Sequence, residues 1–179
     1  MNHYIKIIAS ALLILLIASC SKDLKKIVSE QGHSFEESIE LWNDLKKNNS
    51  NSYKYTSTFT SAFGFGSSTE ITVTDGKVAE RSYKEFAVDP STGELTESDT
   101  NNYTEASSEI GTNQNGFAPL TIDELYDSCS GEYLKVSESE NIIYFETEPN
   151  GLINLCGYFP NTCADDCFIG FNIKSFEFL

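Results

Sequence analysis

Val73-Thr74-Asp75-Gly76-Lys77-Val78 is the stretch that decides the fold of this chain. Asp-Gly between two alternating, β-branched runs is the strongest short signal for a two-residue hairpin turn. The turn sets Thr74 opposite Lys77 and Val73 opposite Val78, in a hairpin spanning residues 70–86. Carried outward, the same register places Glu70 opposite Arg81, a favourable cross-strand charge pair. The sheet is therefore antiparallel at its centre.

Further strands flank this hairpin. Before it, Tyr53, Tyr55, Phe59 and Phe63 alternate with Lys54, Thr56, Thr58 and Thr60, a period of two with one buried face. Gly64-Phe65-Gly66-Ser67-Ser68 reads as the intervening turn. Its Gly-x-Gly is not a phosphate loop, because no helix and no Lys-Ser/Thr follow. Towards the C-terminus, residues 133–136, 141–147, 152–159 and 168–178 read as strands, with Pro149-Asn150-Gly151 as a turn. The last two form a C-terminal hairpin joined through residues 160–167. Ile169, Phe171 and Ile173 alternate, and then Phe176 and Phe178 change phase. A one-residue slip would expose those aromatics, so a β-bulge is predicted near Lys174-Ser175.

Two helices carry complete start signals. Ser34 and Glu37 form a capping box for a helix over residues 34–47, with Phe35, Ile39 and Trp42 on one face and Leu45 beside them. Thr121 and Glu124 cap a second helix over residues 121–130, where Ile122, Leu125, Tyr126 and Cys129 share a face. Cys129 is thereby aimed at the sheet. As the single Trp on an apolar helix face, Trp42 reads as core rather than as a ligand platform. Residues 89–118 open on Asp89-Pro90-Ser91-Thr92-Gly93, continue rich in Ser, Thr, Asn and Glu, and exceed the usual connection length. A mobile polar loop is expected there, with a short ordered piece around residues 103–110. The expected fold class is α+β: antiparallel sheet packed against two short helices, closed by a disulfide-bearing hairpin.

The N-terminus carries an address. Lys6 is followed by an apolar run, Ile7 to Ile17, broken only by Ser10. Eleven helical residues span roughly 16 Å, half of a hydrocarbon core, so the run reads as a secretory signal rather than a membrane span. Ile17-Ala18-Ser19-Cys20 closes it and resembles a bacterial lipobox. That implies a signal peptide over residues 1–19 and a mature chain starting at a diacylglyceryl- and fatty-acylated (palmitate-type) Cys20. Multiple acyl chains make such attachment effectively permanent. Ser21, where inner-membrane retention would want Asp, implies the outer membrane, and Ser21-Lys22-Asp23 looks like a surface-export signal. Residues 20–33 then read as a flexible tether, and residues 34–179 as one domain.

Cysteine parity supports the anchor. Of five Cys, lipidation of Cys20 leaves Cys129, Cys156, Cys163 and Cys167, an even set in a disulfide-permitting compartment. Four Cys allow three pairings, and spacing does not choose among them. Zinc is the weaker reading, since all-cysteine zinc sites favour two tight pairs and here Cys129 and Cys156 stand far apart. A redox centre would want Cys-x-x-Cys, which is absent.

Other chemistry is sparse. His33, the single histidine of the mature chain, has no orienting partner in sequence and reads as a surface residue. Asp165-Asp166 lacks the spaced acidic ligands of a calcium loop and reads as a solvated turn. No catalytic, cofactor or metal residues are assigned. With 27 acidic against 12 basic side chains, and the excess falling after Ser50, the chain repels phosphate backbones, which disfavours nucleic acid as a partner.

Tyr53-Lys54-Tyr55, the hairpin at residues 73–78, Thr121 to Tyr126 and Asp165-Asp166 occur in the order of a largely bacterial family known as domain of unknown function 6174. The chain resembles a divergent member. Where that family carries Tyr-Asp and then Gly-Tyr-Pro, this sequence has Tyr144-Phe145-Glu146 and then Asn150-Gly151-Leu152, and it adds the Cys cluster. The resemblance implies an α+β fold, frequent lipid anchoring and no assigned activity. The expected function is that of a non-catalytic envelope lipoprotein, bound to membrane lipid through Cys20, whose domain binds a protein or glycan. The alternatives are an envelope glycan hydrolase working through two carboxylates, or a small inhibitor-like module.

Overall fold

In a computed structural model that describes residues 24–61, 63–89 and 91–179, the Asp75-Gly76 turn joins strands β2 (Phe65–Thr74) and β3 (Lys77–Val88). Strand β1 (Tyr53–Thr60) precedes them, and β4 (Leu95–Ala106), β5 (Asn141–Thr147), β6 (Ile153–Pro160) and β7 (Ile169–Phe178) follow. All pair antiparallel in one seven-stranded sheet of order β4-β3-β2-β1-β7-β6-β5. Helices α1 (Phe35–Asn48) and α2 (Ile122–Gly131) complete the α+β fold, and both expected capping boxes are formed. The expected signal peptide and the expected acylation site at Cys20 lie outside the described residues. Among those residues no helix is long and apolar enough to cross a membrane.

The core lies between the helices and one sheet face. Trp42 packs edge-on against Tyr53 and Phe176, with ring centroids 5.1 and 6.1 Å away. Phe176 and Phe178 reach this core because β7 bulges: Ser175 faces Thr56, but Ile173 faces Ser57, leaving Lys174 as the extra residue. Three buried phenols fasten the helical layer. The Ile122 amide donates to Tyr53 Oη at 2.9 Å, Tyr55 Oη donates to the Leu120 carbonyl at 2.5 Å, and Tyr126 Oη donates to the Ser38 carbonyl at 3.1 Å. Burial pushes the Tyr126 phenol up to about 12, so it stays a neutral donor at any physiological pH. A disulfide from Cys129 on α2 to Cys156 on β6, Cα atoms 5.8 Å apart, ties the same layers covalently.

Four expectations are corrected. Thr74 and Val73 do face Lys77 and Val78, but the extra residue Ala79 then shifts the hairpin, so Arg81 lies opposite Ile71, not Glu70. That turns Arg81 inward. Residues 89–118 are not simply a loop, since β4 occupies Leu95–Ala106 and pairs with β3. Residues 133–136 hold a 3-10 turn rather than a strand, with Leu134 buried directly after α2. Finally, residues 24–33 are no free tether. Leu24 and Ile27 pack on the core, Val28 bridges Ser34, and Ser29 Oγ meets Thr147 Oγ1 at 2.9 Å. This segment forms a strap beside the end of β5, bonded to Glu146 and Thr147.

Candidate functional site

β1 pairs with β2 along its whole length, from Tyr53–Val73 to Thr60–Gly66. Its ladder with β7 stops at Ser57–Ile173. Beyond that point β7 keeps β6, from Leu155–Asn172 to Tyr158–Ile169, and the sheet forks. A groove of about 660 Å³ occupies the fork, between Thr58, Phe59 and Thr60 on one prong and Gly170, Phe171 and Asn172 on the other. The Lys174 bulge sits at its root, where added twist turns the prongs apart.

Aromatic side chains line and rim this groove. Tyr144, Phe159 and Phe168 form a cluster with centroids 5.3–6.4 Å apart. Phe168 needs a bare backbone beneath it. Gly157 and Gly170 face each other across β6 and β7, and a Cβ on Gly157 would strike the Phe168 ring. Gly170, with φ +151°, would drive a Cβ into the Cys156 carbonyl. Phe59 is 48% exposed and touches Phe65, and Phe63 in the adjoining turn is 78% exposed. β1 ends at Thr60, and Phe59 and Phe63, read from alternation as part of its buried face, are exposed. Clustered apolar exposure of this kind marks interaction surfaces.

Two loops flank the groove. The first brings in Gly116 and Phe117 and is organised by Arg81 and Glu105, which are 2% and 1% exposed and paired at 3.1 Å. Arg81 also donates to the carbonyls of Phe117, Asn113 and Asn115. Glu105 accepts from the Gly111 and Asn113 amides at 2.7 and 2.6 Å and from the Asn113 side chain at 2.8 Å. Burial pushes the Glu105 carboxyl up, but the Asn113 and Gly111 hydrogen bonds with the Arg81 contact outweigh it and hold it down at about 2. The second loop runs from β6 to β7, is closed by a Cys163–Cys167 disulfide with Cα atoms 6.2 Å apart, and carries Asp166 and Phe168. Ser61 Oγ donates to Asp166 Oδ2 at 2.8 Å, linking the β1 prong to this loop.

The four downstream cysteines thus form two separate disulfides, and Cys20 is outside the described residues. His33 lies by the strap beside β5, with Nε2 3.4 Å from the Pro149 carbonyl, away from the groove. Of the Asp165-Asp166 pair, only Asp166 lines the groove. Among the described residues no group of three or more His, Cys, Asp or Glu could hold a metal ion. Sequence reasoning passed over Thr58, Phe59, Phe159, Phe168 and Asn172 as site residues. The available signals were the facing glycines and the Phe-rich strand ends, but no single strand reveals where its ladder to another stops. No family model, no curated protein and no solved structure matches this chain.

Proposed function

We propose that this chain is a cell-envelope lipoprotein, held in the outer membrane through acylated Cys20, that acts as a non-catalytic binding module with its ligand in the β1–β7 fork. One observation carries the site: a sheet that stops pairing with itself midway and lines the opening with Phe and Tyr. Aromatic faces beside Ser, Thr and Asn side chains suit either a protein segment or a glycan. Glycoside hydrolysis through two carboxylates needs them about 5–9.5 Å apart across the scissile bond. The groove lining supplies one, Asp166, already bonded to Ser61. This favours binding over hydrolysis.

The test uses full-length protein purified in detergent and applied to peptide and glycan arrays. A specific ligand is expected, with affinity about tenfold weaker for Phe59→Ser/Phe159→Ser in a variant that still unfolds cooperatively. Binding indifferent to those substitutions, or turnover of an arrayed glycan, refutes the reading. Mass spectrometry of the same material should show an acylated Cys20 as the first residue; an unmodified amino terminus refutes the anchor.

A further inference from the structure

We infer that the fork takes an extended peptide, which enters between β1 and β7 as an added strand; this rests on the groove being the binding site and names its ligand. Backbone phase leads there. In antiparallel sheet, successive residues turn their N–H and C=O alternately to one neighbour and the other. The Ser61 amide donates to the Phe65 carbonyl at 2.8 Å, so odd-numbered residues of β1 bond β2. Thr58 and Thr60 therefore turn theirs towards β7. From the far end, the Leu179 amide on the Ser52 carbonyl at 3.1 Å gives the same phase.

The opposite prong follows likewise. The Asn161 amide donates to the Glu140 carbonyl at 2.8 Å, which commits odd-numbered residues of β6 to β5 and leaves Cys156 and Tyr158 to bond Phe171 and Ile169. Gly170 and Asn172 then face β1. Continued past Ser57–Ile173, the register would set Thr58 against Asn172 and Thr60 against Gly170, and among the described residues neither pair forms.

Both prongs thus present open ladder groups, in phase, to one groove. The outer edges of the sheet differ: β4 is a polar edge strand, and the end of β5 is held by residues 29–30 through Glu146 and Thr147. Any ligand that displaces water from the fork must replace those backbone bonds. An extended peptide repeats N–H and C=O at the spacing of the prongs, whereas a glycan does not. Alternate side chains of the peptide would meet Phe159 and Phe168 on one sheet face and Phe117 on the other, so apolar residues are expected at both phases.

A random peptide library panned on the full-length protein in detergent supplies the probe. Single amide-to-ester replacements at central residues of the selected peptide should each weaken binding by about tenfold or more, and terminal replacements should not. Residue-resolved hydrogen exchange should show new protection at Thr58, Thr60, Gly170 and Asn172. Amides of Ser57 and Phe59, already bonded to β2, should change little. A panning that yields no groove-dependent peptide, or esters that bind as well as amides, overturns the added strand. If the arrays yield glycans that need Phe59 and Phe159, the groove stands and the peptide falls; if no ligand needs them, both fall.

Discussion

Residues 111–117 and residues 161–168 both deliver groove walls, yet they are fastened by unlike chemistry. The first is polar, lacks cysteine and wraps a buried Arg81–Glu105 pair that satisfies its amides and carbonyls. The second has no buried charge and is closed by Cys163–Cys167. A loop rich in Asn, Thr and Gly becomes ordered when a desolvated ion pair supplies the bonds that water otherwise gives. The disulfide asks nothing of its surroundings except an oxidising compartment. One wall is therefore expected to respond to acid and the other to reductant.

Substitutions separate the two. Removing the cation strands a buried carboxylate, so Arg81→Met should cost about 3–5 kcal/mol in urea unfolding and free residues 107–118 to exchange, while residues 161–168 keep their protection. Next, Cys129→Ala/Cys156→Ala should cost about 2–4 kcal/mol in the same assay by untying α2 from β6, and it should affect both walls alike. Third, acid alone should loosen the first wall. The Glu105 carboxyl sits below its ordinary 4.5, so its stabilisation is complete above 4.5 and is lost as pH falls towards about 2. Unfolding measured across that window should give a shallower slope for Glu105→Gln. It should not be flat, because hydrogen bonds to Ser34 and Ser91 also lower Glu37 and Asp89. Smallest, Cys163→Ser/Cys167→Ser should cost about 1 kcal/mol globally but raise exchange at residues 161–168. Equal loosening of both loops in every variant would dissolve the distinction.

Local signals were legible in the sequence wherever the determinant was local. Both capping boxes, the Asp75-Gly76 turn and the inward Cys129 follow from spacing alone. So does the Lys174 bulge, because Phe171 and Phe176 cannot share a face without it. Arg81 was misplaced because Ala79 bulges, and nothing in Val78-Ala79-Glu80 announces an extra residue. Its partner lies 24 positions away on a strand that composition hides. β4 reads Leu-Thr-Glu-Ser-Asp-Thr-Asn-Asn-Tyr-Thr-Glu-Ala, with too few apolar residues to alternate, as suits an outer edge facing water. The fork was the least legible feature. It is the end of a pairing between strands over a hundred residues apart, and it is written in neither.

Under the proposed anchor at Cys20, the strap beside β5 would set how the molecule stands on a bilayer. With lipid on Cys20, only Ser21, Lys22 and Asp23 separate the acyl chains from the packed side chain of Leu24. Four Cα steps reach about 15 Å at full stretch, about half the thickness of a hydrocarbon core. Under that anchor the domain would have only a short leash. Such an anchor would keep the strap flank close to the bilayer and bring partners to the membrane surface.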